Sequence, residues 1–136
     1  MNRYKIFSKL TIPQYDQLIK NGSSENRDKD HRPVVKLFLP GTGFTWLLTE
    51  IDPTDTNIAF GLCDLGMGFP ELGYIDLDEL GQTFTPYKVS VERDNHFDGK
   101  YPISVYADAA RSIERITEND NLLQNSAMKV LKCKMQ

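Results

Sequence analysis

The chain has 136 residues, 40% of them hydrophobic and 26% charged, with a formal net charge of −3. That is the length and balance of one globular domain able to bury a core. The charge is too mild to name a partner, and two cysteines, Cys63 and Cys133, exclude a disulfide-rich scaffold and a thiol-only zinc site.

The opening MNRYKIFSKL lacks the long apolar core of a signal peptide. No window approaches the roughly 18 consecutive apolar residues of a membrane span, so a location in the reducing cytoplasm, away from membranes, is expected. Thr11-Ile12-Pro13-Gln14 has the form of a capping box, with Pro13 tolerated in the first turn and Leu10 and Tyr15 placed for a hydrophobic staple. Tyr15, Leu18 and Ile19 give the following helix one apolar face. Asn21-Gly22 should end it, with the glycine in a left-handed cap. Ser23 to Arg32 is polar and charge-mixed, which predicts a loop or mobile linker.

Strand patterns begin at Pro33. VVKLFL (34–39), FTWLLTEI (44–51) and NIAFGLC (57–63) are separated by the turns PGTG and DPTD, as in an antiparallel meander. Ile58, Phe60 and Leu62 share one face of the third strand, and Trp46 is a core candidate. A glycine-punctuated loop leads to a fourth strand, LGYIDL. Asp76-Leu77-Asp78-Glu79 is a second capping box, and Gly81 closes a short helical turn. Tyr87, Val89 and Val91 alternate with Lys88, Ser90 and Glu92, the pattern of a half-buried strand over 87–92. Pro102 opens a helix whose Ile103, Tyr106, Ala110 and Ile113 fall on one side, with Asp108 and Arg111 facing outward. Leu123, Ala127, Val130 and Leu131 predict a further amphipathic helix with a basic end.

Charge is unevenly placed. Between Lys36 and Lys88 there is no Lys or Arg, while Glu50, Asp52, Asp55, Asp64, Glu71, Asp76, Asp78 and Glu79 all fall there. The centre of the domain should project a negative potential. Bases gather at the ends: Arg3, Lys5, Lys9 and Lys20, then Lys129, Lys132 and Lys134.

The motifs offer little chemistry. Gly66-Met67-Gly68 is followed by Pro70 and a strand rather than by a helix N-terminus, and no Walker-type GK[ST] occurs, so the glycines serve tight turns. Glu92, Asp94 and His96 form the one cluster with metal or acid–base character, which simpler reading makes a charged turn. Cys63 ends an apolar strand among acids, which suits an inert thiol better than a nucleophile with His96 as its base.

The blocks PVVKLFLP, TWLLTEIDP, FGLCDLGMGFPELGYIDLDEL, VERDNHF and YADAAR, in that order, resemble a family of small bacterial proteins labelled domain of unknown function 2958. The resemblance runs from about Thr11 to Arg111. It departs at Leu80 to Pro86, where relatives tend to carry an Arg-Gly. It implies an accessory role on plasmids, integrating elements and phages, near antirestriction and DNA-processing genes, and it supplies no catalytic residues.

These readings predict one α+β domain over 1–136. A curved antiparallel sheet of about five strands packs against two or three helices, with 117–136 as a peripheral C-terminal helix. The expected function is a non-enzymatic accessory protein of a mobile element, with counter-defence of the antirestriction or anti-CRISPR type as its concrete form. It binds a protein partner through an acidic surface of Asp64, Glu71, Asp76, Asp78 and Glu79, with no cofactor and no metal. Two alternatives stay open: a small hydrolase-like or metal-binding enzyme using Glu92, Asp94 and His96, and a nucleic-acid-binding protein using the basic termini.

Overall fold

A computed structural model describes residues 3–84 and 88–135. Their elements run α1 (Arg3–Phe7), α2 (Ile12–Asn21), β1 (Val35–Phe38), β2 (Thr45–Ile51), β3 (Ile58–Asp64), β4 (Glu71–Asp76), α3 (Leu77–Leu80), β5 (Glu92–Arg93), α4 (Ile103–Ile113) and α5 (Asp120–Lys134). The strands form one antiparallel sheet in the order β4-β3-β2-β1-β5. β1 to β3 are the expected meander, β4 extends it beyond β3, and β5 returns along the outer side of β1.

The sheet carries a core on each face. Strand side chains alternate between faces. Leu37, Trp46, Leu48, Ile51, Ala59 and Ile75 therefore pack with Ile6 of α1, Leu18 of α2 and Leu77 and Leu80 of α3. Leu47 and Leu62 point the other way and meet Val105, Tyr106 and Ala109 of α4, with Leu123 of α5 joining them. The architecture is α+β, as the pattern of apolar runs predicts. Trp46 is buried in the first core, as expected.

The capping box at the start of α2 forms in full. Thr11 Oγ1 accepts from the Gln14 N–H at 3.2 Å, and Gln14 Oε1 accepts from the Thr11 N–H at 2.9 Å. The other end differs from expectation. Gly22 is right-handed, with φ −84°. It answers a steric demand instead: a Cβ there would lie 2.0 Å from the Ile51 carbonyl oxygen. Only glycine lets α2 press this closely on the end of β2. Asn21 adds to the anchor, its buried Nδ2 donating to the Thr49 carbonyl at 2.9 Å.

The strand expected over 87–92 is much shorter. Tyr87 lies outside the described residues. Only Glu92 and Arg93 pair with β1, opposite Phe38 and Leu37, and a single bridge joins Phe84 to Val89. Lys88 has φ 54°, which breaks an extended run. The alternation has another cause: Val91 is buried and Val89 packs beside it on the first core, so apolar spacing here reports packing rather than a ladder.

Segments expected to be loose or outward are tied in. The Ser23–Arg32 region is a loop, but Asp30 Oδ1 accepts from the Ser104 N–H at 3.1 Å, and Asp30 Oδ2 accepts from the Ser104 hydroxyl. The Ile103 N–H donates to the His31 carbonyl at 2.7 Å. Because Pro102 gives α4 no side-chain cap, a carboxylate from a distant loop supplies one. α5 packs on α4, with Leu123 and Ser126 buried. Asp108 turns toward α5, where Lys129 pairs with it at 3.0 Å, rather than outward with Arg111. Burial pushes the Asp108 carboxyl up, but Ser126 and Lys129 outweigh it, and the group lies below the ordinary carboxylate value.

Candidate functional site

The chain between β3 and β4 is shaped by one acid and two glycines. Asp64, at the end of β3, is only 3% exposed. Its Oδ1 accepts from the Gly66 N–H at 2.9 Å and its Oδ2 from the Ile116 N–H at 3.0 Å. This pins the root of the loop to the chain beyond α4. Gly66 and Gly68 then take φ of 72° and 84°, values that side-chain-bearing residues rarely adopt, and the chain doubles back into β4. The tight-turn role expected of these glycines is what they perform.

The consequence of that turn is an apolar rim. Leu65, Met67 and Phe69 are 45%, 74% and 79% exposed, and Tyr74 on β4 is 81% exposed. Tyr74 leans edge-on against Phe60, ring centroids 5.5 Å apart. Among the described residues β4 is an edge strand, paired with β3 alone. A groove of about 420 Å³ lies between the loop, β4 and α3. Cys63, Gly73 and Ile75 line it, together with Met67, Phe69 and Glu79.

The five acids expected to form one binding surface divide by environment. Asp64 is buried and structural, so it offers nothing to a partner. Asp76 caps α3, accepting from the Glu79 N–H at 3.2 Å and from Asn57 Nδ2 at 3.0 Å. The Asn57 bond and then the α3 amides hold its carboxyl below the ordinary range. Asp78 accepts from the Arg3 backbone N–H at 2.6 Å and faces the Arg3 guanidinium at 4.0 Å, so α1 occupies it. Glu71 and Glu79 are exposed, and both line the apolar groove.

A second depression, about 530 Å³, opens on the other face of the sheet. The cross-strand row Glu50, Phe60 and Tyr74 floors it, with Arg27, Asp28 and Ile103 around it. Burial raises the Glu50 carboxyl above its ordinary value, partly offset by His31 and Arg27. Charges of both signs mix here, unlike the apolar groove opposite. Tyr74 lines both depressions.

The alternative cluster does not assemble. Glu92 pairs with Lys9 at 3.6 Å, and Asp94 pairs with Lys36 at 3.5 Å. His96 is exposed, its backbone N–H donating to Asp94 Oδ1 at 2.8 Å. Cys63 lies on β3, three strand positions from β5, so about 14 Å of sheet separates it from the strand that leads to His96. Among the described residues no three His, Cys, Asp or Glu side chains converge to hold a metal ion. Of the bases at the two ends, Lys129 pairs with Asp108, Lys134 with Asp30 at 3.2 Å, and Arg3 with Asp78.

Leu65, Met67, Phe69 and Tyr74 did not figure as site residues in the sequence reading. The signal was present: LGMGF sets bulky apolar side chains on both sides of and between two turn glycines, where a tight loop needs none. Acidity drew the reading to this segment for a different reason.

Fold and site together define an α+β domain that presents an acid-flanked apolar edge strand. The chain belongs to the family described as protein of unknown function (DUF2958), which matches residues 9–117. α5 lies beyond the matched region. No curated protein and no solved structure matches the chain. Among the described residues no helix is long and apolar enough to cross a membrane.

Proposed function

We propose that this chain is a non-enzymatic binding protein that docks on another protein through the β4 edge and the Leu65–Phe69 loop. One observation carries the reading. Three large apolar side chains, Leu65, Met67 and Phe69, are exposed around a single groove, and Tyr74 is exposed on the β4 edge beside it. Scattered exposed apolar residues are ordinary, but a contiguous patch with a polar rim marks an interaction site. Glu71 and Glu79 provide the rim, and the absence of Lys and Arg between residues 36 and 88 favours a basic partner.

The resemblance to proteins carried by plasmids, integrating elements and phages supports an accessory role on a mobile element. Engaging a host defence protein, as antirestriction and anti-CRISPR proteins do, is the concrete form of that role. Affinity capture from a bacterial lysate tests it, comparing the wild-type chain with Met67→Ser/Phe69→Ser and Glu71→Lys/Glu79→Lys. Partners lost from both variants support the reading, and an unchanged set of partners overturns it. Asp64 is left intact in this test, because its loss would disturb the loop itself.

A further inference from the structure

The β4 edge also has a hydrogen-bonding side, which bears on how a partner is held. The Leu77 N–H donates to the Asn57 carbonyl at 2.9 Å, in the same register that sets Asp76 opposite Ile58. In an antiparallel ladder alternate residues turn their backbone groups toward the neighbouring strand. Gly73 and Ile75 therefore face β3, and the N–H and C=O of Leu72 and Tyr74 point outward. Natural edge strands are commonly blunted by Lys, Pro or a bulge. The β4 sequence ELGYID contains neither Lys nor Pro, and its pairing with β3 runs without a register shift.

Gly73 is a second and independent sign. A Cβ at Gly73 would meet nothing within 4 Å, whereas at its cross-strand neighbour Gly61 it would lie 1.9 Å from the Leu47 carbonyl oxygen. The fold requires glycine at 61 and has room for a side chain at 73. Glycine inside a strand lowers stability and marks places where something must approach closely. Here it leaves the floor of the groove open between Glu71 and Ile75, beneath Met67 and Phe69.

Charge decides among occupants. A second copy pairing antiparallel through the outward groups of Leu72 and Tyr74 would bring two sets of Glu71, Asp76 and Glu79 together; in the register centred on Tyr74, Glu71 would lie opposite Leu77, beside the other copy's Asp76, Asp78 and Glu79. Like charges juxtaposed across an interface repel. A basic segment is attracted by the same acids; with its apolar side chains on the Gly73 face, its basic ones fall on the opposite face, beside Tyr74 and Asp76. We propose that β4 receives an extended segment of a partner protein, alternating basic and apolar residues, as an added strand, with an apolar side chain seated over Gly73. This rests on the protein-binding reading above and specifies the partner's chemistry and its mode of attachment.

The test uses the full chain and a fluorescent, end-blocked peptide of about nine residues alternating Lys and Val, long enough for one strand. Two further peptides carry N-methyl groups on alternate residues, one on the odd positions and one on the even. Strand addition predicts that one phase weakens binding about tenfold or more while the other changes it less than about threefold, since only alternate amides face the sheet. Gly73→Val should weaken binding by a similar factor without lowering the melting temperature, and a peptide alternating Glu and Val should not bind. Equal loss from both methylation phases, or binding indifferent to Gly73→Val, overturns strand addition, as does no binding of the Lys-Val peptide. Lysate capture that still depends on Met67, Phe69, Glu71 and Glu79 would then leave surface docking standing on its own.

Discussion

Asp64 and Ile116 are joined across 52 residues of sequence by a 3.0 Å hydrogen bond from the Ile116 backbone to the buried Asp64 carboxylate. The same carboxylate holds Gly66 at 2.9 Å. One side chain thus fixes both the loop that forms the apolar rim and the chain that leaves α4. Asp64→Ala strands two backbone N–H groups, and hydrogen bonds to a buried charge are worth about 1.5–3 kcal/mol each when a partner is removed. The expected loss is about 2–4 kcal/mol by denaturant unfolding, with Asp64→Asn less damaging because its amide oxygen can still accept one of the bonds. A change under about 0.5 kcal/mol for Asp64→Ala would show that the carboxylate does not brace the loop.

The glycines of the sheet should respond in opposite senses. At Gly61 an added methyl collides with the Leu47 backbone at 1.9 Å, so Gly61→Ala forces β2 and β3 apart. Overpacking of this kind costs about 1–3 kcal/mol or more. At Gly73 the same methyl meets nothing within 4 Å. Gly73→Ala should be neutral or stabilise by about 0.4–1 kcal/mol through lower unfolded-chain entropy. Thermal unfolding of the two variants side by side checks the contrast, and equal destabilisation would remove the special standing given to Gly73.

Much of the fold was legible because its signals are local. The Thr11–Gln14 capping box, the turn clusters between β1, β2 and β3, and the apolar stripe of α4 each act within a few residues. What stayed hidden depends on partners distant in sequence. The cap on α4 comes from Asp30, the buried state of Asp64 depends on Ile116, and the need for Gly22 arises from Ile51. Glu92–Arg93 is a short strand because the chain bends at Lys88 and only Leu37 and Phe38 of β1 oppose it, facts that Tyr87–Glu92 alternation does not encode. At the site, net acidity was visible, but an acid's availability is a property of its neighbours. Asp64, Asp76 and Asp78 are engaged by Ile116, Asn57 and Arg3, which leaves Glu71 and Glu79 beside an apolar rim that composition alone does not reveal.

The two thiols should separate cleanly by reactivity. Burial raises the Cys63 thiol above its ordinary value, and the nearby Asp64 and Glu71 charges push the same way, against a lowering hydrogen bond with Trp46. Cys133 is exposed near the end of α5. Because the thiolate is the reacting form, Cys133 should be alkylated by iodoacetamide well before Cys63 at mildly alkaline pH. Peptide mass spectrometry over a time course reads this directly. Cys63 reacting first would restore the case for a nucleophile on β3.

Acid should expose the role of Asp30. Burial pushes its carboxyl up, but the bonds from Ser104 and the approach of Lys134 outweigh that, so its folded value lies below the ordinary 3.8. A carboxyl lowered on folding contributes stability that is complete above the unfolded value and is lost as pH falls through the folded one. Most of that contribution belongs to the cap on α4, because the Lys134 pair is largely exposed and worth little. Asp30→Ala should therefore cost about 1–2 kcal/mol near pH 7, the usual worth of a helix cap. The gap between variant and wild type should hold well above the ordinary 3.8 and close as the pH falls through the lowered folded value. Urea unfolding across that range measures it, and a gap that ignores pH would mean that packing of the 23–32 loop, rather than the carboxylate charge, supports the start of α4.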